Sequence, residues 1–163
     1  MKNNVVDAMI EIPLGSKNKY EMDASTGRIK LDRVLYASMM YPAEYGIIEN
    51  TLAPDGDALD ILVICSDATF PGCIVPARVL GYLDMVDNGK LDYKLISVVD
   101  CDPRYAHYQR LEDINPFVLQ EIANFFANYK VLQGINVEVG SYHDADEALK
   151  IIDESKAAYL RMA

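Results

Sequence analysis

The chain has 163 residues, of which 51% are hydrophobic and 25% charged, a balance typical of a folded globular protein. Its formal net charge of −10 gives a field that repels nucleic acids and anionic membranes. No apolar stretch approaches the roughly 20 residues that cross a bilayer, and no signal peptide is visible. The three cysteines form no CxxC motif, a usage that suits a reducing compartment. We therefore expect a cytoplasmic protein of one domain, residues 1–163, with no nucleic-acid or membrane partner.

The first two thirds of the chain carry the patterns of β-strands. Alternating residues on both sides of Ser25-Thr26-Gly27 predict a hairpin. Another hairpin is predicted where Met85-Val86 is followed by Asn88-Gly89, a dipeptide typical of tight turns. Residues 91–99 form the second arm of that hairpin, and two further stretches, 59–64 and 73–83, are apolar enough for buried strands.

The last third of the chain changes to helical periodicity. Asn115-Pro116 is a typical helix start, and apolar residues then recur at helical spacing until Gly134. Residues 135–139 alternate as one more strand, and Asp144 with Glu147 resembles a capping box that opens a final helix. Strands first and helices second predict an α+β domain built on a small, highly curved antiparallel sheet or barrel.

The most informative segment is Asp55-Gly56-Asp57-Ala58-Leu59-Asp60, which places three carboxylates within six residues at the start of a strand. A turn at Gly56 can fold Asp55 and Asp57 back beside Asp60. Converging carboxylates repel one another and raise each other's pKa unless cations neutralise them. Such hard oxygen ligands suit Mg²⁺, Mn²⁺ or Ca²⁺. A segment of this kind, taken alone, is more often a solvated acidic turn than a metal site.

Two familiar acidic motifs do not fit this segment. An EF-hand loop that starts at Asp55 needs Gly at position 60 and Glu at position 66, where the chain has Asp60 and Ser66. A phosphatase of the aspartyl-phosphate type has its DxD motif after a buried strand, whereas Asp55 precedes one. The carboxylates therefore need partners elsewhere in the chain to define a site.

A second acidic cluster, formed by Asp84, Asp87 and Asp92, brackets the Asn88-Gly89 turn. Lys94 shares one face of a strand with Asp92, although such a cluster, taken alone, is more often a solvated hairpin. Basic and phenolic residues stand inside other patterned elements: Lys19, Arg33, Tyr41, Tyr45, Tyr129 and Lys130. Together these sets supply what phosphoryl transfer needs, namely carboxylates for metals and donors for phosphate oxygens.

These residues and their order resemble those of the soluble family I inorganic pyrophosphatases. The matching pieces are Glu11-Ile12-Pro13, Lys19-Tyr20-Glu21, Asp32-Arg33, Tyr41-Pro42-x-x-Tyr45-Gly46, Asp55-Gly56-Asp57-x-x-Asp60, Asp87…Asp92-x-Lys94 and Phe125-Phe126-x-x-Tyr129-Lys130. The resemblance implies an OB-like five-stranded β-barrel with two main C-terminal helices, and a homohexamer as in the compact bacterial-type members. Three positions depart from the usual pattern: Ala58, Asn88 and Leu91.

The resemblance also implies a reaction, the Mg²⁺-dependent hydrolysis of inorganic pyrophosphate to two orthophosphates by a metal-activated water. Asp57 matches the general base. Several Mg²⁺ ions, for which other divalent cations can substitute, would be held by Asp55, Asp60, Asp87 and Asp92. Phosphate oxygens would be bound by Lys19, Arg33, Tyr45, Lys94, Tyr129 and Lys130. Glu11, Glu21 and Tyr41 match supporting residues.

Two other functions remain open from the residues themselves. A non-catalytic OB-like module for oligonucleotides or sugars is disfavoured by the net charge, the absence of Trp and the presence of only four Phe. A metal-dependent hydrolase of nucleotides or phosphate esters differs only in the leaving group. Phosphate release from pyrophosphate, with and without Mg²⁺, separates an enzyme from a binding module.

Overall fold

The computed structural model describes residues 3–162, which form eight β-strands and two α-helices in a mixed α+β fold. The strands are β1 (Val5–Ile12), β2 (Asn18–Asp23), β3 (Arg28–Val34), β4 (Glu44–Ile48), β5 (Leu59–Ile64), β6 (Ile74–Asp87), β7 (Lys90–Val99) and β8 (Val137–Asp144). The helices are α1 (Pro116–Asn128) and α2 (Ala145–Met162). Among the described residues, no helix is both long enough and apolar enough to span a membrane.

Five strands close into a barrel in the order β1-β4-β5-β7-β6, because β1 pairs with β6 as well as with β4. The predicted five-stranded barrel is thus confirmed. Its pairings are antiparallel except that of β5 with β7, which is parallel, so the expectation of a wholly antiparallel sheet is wrong at this pairing. β8 extends the sheet beyond β6, and β2 pairs with β3 in a separate two-stranded sheet.

Several strand boundaries differ from those that the sequence pattern indicates. β6 runs without a break from Ile74 to Asp87, where two separate stretches were predicted, because β7 pairs with it along nearly its whole length. β8 covers residues 137–144 and not 135–139, since its pairing with β6 continues past Gly140 to Asp144. Periodicity did not identify β1 and β4. β1 carries Asp7 and Glu11 within its apolar run, and β4 has only five residues.

The helix predicted after Asn115 ends earlier than expected. Asn115 caps α1, since its side chain accepts a hydrogen bond from the backbone N–H of Phe117, but α1 stops at Asn128. A 3-10 turn (Val131–Gln133) then leads to Gly134, which adopts a left-handed conformation with φ of 72°. The final helix was correctly predicted, and the Asp144 side chain accepts a hydrogen bond from its third residue, Glu147.

The two helices pack on opposite faces of the barrel sheet. Alternate residues of a strand point to opposite faces, so Leu62 of β5 packs in the cluster with α1 while Ile61 packs in the cluster with α2. Phe125 and Phe126 of α1 are buried in the first cluster, so this pair belongs to the core. The direction of α1 is thereby fixed, and its C-terminal end is brought to the open side of the barrel where the charged residues gather.

Candidate active site

A cleft of about 620 Å³ opens between the β2–β3 hairpin, the barrel strands and the residues that follow α1. Every site residue predicted from the sequence lines this cleft except Tyr41. The predicted acidic residues among its lining come from β1, β2, the segment before β5, and β5 to β7, and they are Glu11, Glu21, Asp55, Asp57, Asp60, Asp87 and Asp92. The predicted cationic and phenolic residues among its lining are Lys19, Arg33, Tyr45, Lys94, Tyr129 and Lys130. Residues that are far apart in sequence thus share one opening.

Three of the four predicted metal ligands converge on one point. Asp55, Asp60 and Asp92 each offer a carboxylate oxygen, and these oxygens all lie within 4.8 Å of one another. The parallel pairing of β5 with β7 sets Asp60 opposite Lys94, and Asp92 is on the same face of β7 as Lys94. An oxygen-only set of carboxylates fits a hard divalent cation such as Mg²⁺ or Ca²⁺. The donor set therefore suits the metal that the sequence led us to expect.

The loop between β4 and β5 turns back on itself and carries Asp55 to this point. Gly56 has φ of 93°, a conformation that favours glycine, and its N–H donates to the carbonyl of Ala53 at 3.0 Å. The Asp55 side chain accepts a hydrogen bond of 3.0 Å from the backbone N–H of Asp57. The buried hydroxyl of Thr51 closes the base of the loop, because it donates to a carbonyl of β4 and accepts from the first amide of β5. The loop is therefore held at both ends.

Lys94 places a buried positive charge between two of these carboxylates. Its Nζ lies 2.7 Å from Asp60 and 3.0 Å from Asp92, and it donates a hydrogen bond of 2.8 Å to the Tyr45 hydroxyl. Burial disfavours the charged ammonium, but Asp60 and the other partners outweigh that effect and raise the pKa of Lys94 well above its usual range. Lys94 is therefore a fixed cation.

One buried lysine does not balance the acidic cluster. Burial raises the pKa of Asp92 to about 6, even though Lys94 opposes this shift. The pKa of Asp55 is also raised, first by burial and then by the charges of Asp60 and Asp57. Both shifts show that more positive charge would stabilise the ionised carboxylates, which is what a bound divalent cation provides.

Glu11 connects the barrel with the β2–β3 hairpin. Its carboxylate, on β1, accepts a hydrogen bond of 2.8 Å from the backbone N–H of Met22 on β2. The Glu11 residue is only 7% exposed, and burial raises its pKa to about 7. A buried carboxyl group therefore anchors the hairpin at the edge of the cleft.

The hairpin contributes two cations to the cleft. Lys19 and Arg33 are paired across β2 and β3, and both contact Asp32, at 3.2 Å from Nζ and 2.9 Å from Nε. Arg33 also donates from Nη1 to the side-chain oxygen of Gln133 at 2.9 Å. Glu21 lies at the exposed edge, 4.0 Å from Lys19. Sequence analysis assigned no role to Asp32, although its position next to Arg33 was a usable signal, and it did not identify Gln133.

The remaining wall is built from Asp87, the end of α1 and an aromatic cluster. Asp87 is not part of the carboxylate group described above, and it pairs instead with Lys130, whose Nζ lies 2.5 Å away. Tyr129 lies in the wall with its ring 5.1 Å from that of Phe125. Tyr41 is buried behind the wall, with ring centroids 5.2 Å from Tyr45 and 4.8 Å from Phe125. It supports the wall and does not face the cleft.

Known proteins are similar to this chain in both sequence and fold. The family model for inorganic pyrophosphatase matches residues 8–160. The chain is 57% identical over 155 residues to an inorganic pyrophosphatase of Halalkalibacterium halodurans, which covers 95% of each chain. It is 54% identical over 158 residues to that of Geobacillus stearothermophilus, 97% of this chain and 96% of the relative.

Solved structures agree with the sequence comparison. The crystal structure of inorganic pyrophosphatase from Thermus thermophilus matches with a TM-score of 0.93 and 44% identity, over 97% of this chain and 92% of that one. The Helicobacter pylori inorganic pyrophosphatase matches with a TM-score of 0.93 and 36% identity, over 96% and 94%. Likeness of this extent, in sequence and in backbone, makes the chain a member of the inorganic pyrophosphatase family and therefore a hydrolase.

Proposed function

We propose that the cleft is where this pyrophosphatase hydrolyses pyrophosphate to two orthophosphates, and that Mg²⁺ is its divalent cation. The observation that carries the proposal is the convergence of Asp55, Asp60 and Asp92 within 4.8 Å, opposite a wall of lysine, arginine and tyrosine side chains. A highly charged, oxygen-rich anion needs metal ions on one side and cationic donors on the other. The cleft offers both.

Asp55, Asp60 and Asp92 would hold the tighter metal ion, and Asp60 with Asp87 would help to hold a second. Metal ions bound there supply positive charge at the phosphate oxygens and lower the pKa of a coordinated water. Asp87 contacts Lys130 in this structure, so its carboxylate is already within the cleft but shared with a cation. We expect the Asp87 site to be the weaker one for that reason.

Asp57 is the proposed general base. It belongs to the same loop as Asp55, but it is exposed on the cleft and lies outside the group of three converging carboxylates. Its carboxylate accepts the proton of the attacking water as the oxygen of that water bonds to one phosphorus. The bond from the bridging oxygen to that phosphorus then breaks, and the second orthophosphate leaves.

The cationic and phenolic side chains bind the phosphate oxygens. Lys19 and Arg33 come from the hairpin, Tyr129 and Lys130 follow α1, and Tyr45 faces Lys94. They neutralise negative charge on the departing phosphate. Because the whole chain carries a net charge of −10, these local cations, together with bound metal, are needed to attract a polyanion at all.

Glu11, Glu21 and Tyr41 have supporting roles. Glu11 fixes the hairpin through the backbone of Met22, and Tyr41 packs behind Tyr45. Glu21 lies 4.0 Å from Lys19 at the rim and balances its charge. None of the three needs to touch substrate in order to affect catalysis.

We also propose that the protein is a cytoplasmic homohexamer in which residues 1–163 form one domain. Four large apolar side chains within a ten-residue segment are between 46% and 62% exposed, which suits an interface between copies: Leu31, Val34, Tyr36 and Met40. Multi-angle light scattering at micromolar concentration, near neutral pH with Mg²⁺, should give the mass of a hexamer. A monomer alone would overturn this proposal.

The reaction is tested by measuring the release of orthophosphate. We expect rapid release from pyrophosphate with Mg²⁺ and none in excess chelator. Nucleoside triphosphates and phosphate monoesters are assayed as alternative substrates. If they are hydrolysed as fast as pyrophosphate, the enzyme acts on a broader class of phosphate compounds. Undiminished release in chelator would reject the metal-dependent mechanism.

A further inference from the structure

Gln133 does not line the cleft but touches one of its cations. Its Oε1 accepts the hydrogen bond from Nη1 of Arg33, a residue 100 positions away in sequence. Arg33 lies on β3, in the two-stranded sheet outside the barrel, while Gln133 follows Tyr129 and Lys130 at the end of α1. The contact therefore joins the two parts of the wall that contribute cations to the cleft.

The turn that carries Gln133 is well fixed. The backbone N–H of Gln133 donates to the carbonyl of Lys130 at 3.0 Å, and that of Gly134 donates to the carbonyl of Val131 at 3.0 Å. Gly134, with φ of 72°, ends the turn in a conformation that favours glycine. The amide of Gln133 is thus held from a rigid base.

Arg33 gains its orientation from two contacts of different strength. Its Nε pairs with Asp32, but both side chains are about one third exposed, at 34% and 29%, and such surface pairs hold geometry weakly. The contact with Gln133 engages a second edge of the planar guanidinium. Two contacts on different nitrogens define the plane of the group, so that its remaining N–H donors can be aimed at a phosphate.

Stability does not explain a glutamine at this position. Its Nε2 is buried and has no hydrogen-bond partner among residues 3–162. A buried donor without a partner is destabilising, and an apolar side chain of similar size would avoid that cost. What the amide does provide is a neutral acceptor, which orients Arg33 without adding a second negative charge beside Asp32.

We propose that Gln133 is a positioning residue for pyrophosphate binding, which holds the Arg33 guanidinium in the orientation that receives a phosphate group. This inference rests on the proposed function, in which Arg33 binds phosphate oxygens. It assigns part of the affinity for substrate to a residue that does not touch substrate.

The first test replaces Gln133 by methionine, which keeps the length of the side chain and removes the acceptor. We expect Gln133→Met to raise the KM for pyrophosphate about 3- to 10-fold, with a smaller change in kcat, as for the loss of one hydrogen bond to a partly exposed charged group. The melting temperature should stay the same or rise. Gln120→Met, on the exposed side of α1, is the matched control and should change none of these values. A lower melting temperature with an unchanged KM would overturn the proposal and leave Gln133 a structural residue.

A double-mutant cycle tests whether Gln133 acts through Arg33. Arg33→Met should itself raise the KM, and adding Gln133→Met to it should change kcat/KM by less than about 2-fold. A Gln133→Met effect that persists in full without Arg33 would overturn the positioning role. If Arg33→Met leaves the KM unchanged, the proposed role of Arg33 fails instead, and the two failures are thereby distinguished.

Discussion

The side chains of Asp57 and Asp60 are three residues apart in sequence but have different surroundings. Asp60 lies 2.7 Å from the buried ammonium of Lys94 and belongs to the converging group of carboxylates. Asp57 is exposed on the cleft and outside that group. Similar carboxyl groups can therefore have different tasks, one as a metal ligand and one as a base.

Asparagine variants of these two residues should respond differently to Mg²⁺. Asp57→Asn removes the proton acceptor, so turnover should fall by about 10²- to 10⁴-fold and stay low at high Mg²⁺. Asp60→Asn weakens metal binding, so part of its lost activity should return as Mg²⁺ is raised. Turnover is measured against Mg²⁺ concentration, and circular dichroism confirms that each variant is folded. Equal rescue of both variants would make Asp57 a ligand and not the base.

Glu11 should make the stability of the metal-free protein depend on pH. Because burial raises its folded pKa from 4.5 to about 7, the folded state binds more protons than the unfolded state between these values. The free energy of unfolding should therefore decrease as pH rises through this window. Glu11→Gln keeps the hydrogen-bond acceptor for Met22 but does not titrate. As pH rises from 4.5 to 7, its free energy of unfolding should therefore increase by about 1–3 kcal/mol relative to that of the unmodified chain. Urea unfolding in chelator measures this, and parallel pH profiles for the two proteins would contradict the assignment.

Among the secondary-structure elements, the β1–β4 pairing depends on the absence of a side chain. Gly46 lies opposite Ile10 of β1, and an added Cβ would overlap the carbonyl oxygen of Met9. The backbone of β1 cannot move away without opening the barrel, because β1 also pairs with β6. Gly46 is next to Tyr45, which lines the cleft, so a shift of the β4 backbone at Gly46 would also move a cleft residue.

Gly46→Ala should therefore lower the free energy of unfolding by about 3 kcal/mol, at the upper end of the range for overpacking. Gly27→Ala is the comparison, since φ there is 68° but the space around the new Cβ is open. The free energy of unfolding of that variant should fall by only about 1 kcal/mol, because of backbone strain. Denaturant unfolding measures both, and equal losses would show that the close approach of β1 to β4 is not the cause.

Local patterns predicted those elements whose signals lie within a few residues. The turn at Asn88-Gly89 is one case, since φ values of 52° and 82° are those that these two residue types accept. Where an element depends on a distant partner, the sequence was a poor guide. β8 continues past Gly140 only because β6 is there to pair with it, and β4 is recognisable only beside β1 and β5.

The same division holds for the candidate site. Asp55, Asp57 and Asp60 stand close together in the sequence, so a short motif was enough to identify them as candidate site residues. Asp87 pairs with Lys130 and does not join the group of converging carboxylates. This arrangement depends on where α1 ends relative to β6. Gln133 is a polar residue in a short turn, and only the folded chain brings it to Arg33. Motifs thus indicated the type of chemistry, while tertiary packing decided which groups pair.

For the molecule as a whole, the net charge of −10 and the acidic cleft predict that metal stabilises the fold. A ligand that binds only the folded state adds about 2.7 kcal/mol at a concentration 100 times its Kd. Mg²⁺ should therefore raise the melting temperature, and Asp60→Asn should reduce this rise. Asp153→Asn, which removes an exposed carboxylate on α2, should leave the rise unchanged. If both variants behave alike, the effect comes from general charge screening.

Closure of the barrel by β1 has a consequence for synthesis of the chain. β1 is synthesised before the strand that closes the barrel with it, because its partners, residues 74–78 of β6, lie 65 to 73 residues further along the chain and follow after about 3 to 15 s of translation. During that time an apolar segment with unpaired backbone groups can associate with other nascent chains. Asp7 and Glu11, which interrupt the apolar run, act against such association, as charges placed within or beside hydrophobic strands generally do. We therefore expect the carboxylate of Glu11, which anchors the hairpin in the folded chain, to limit association of the nascent chain as well.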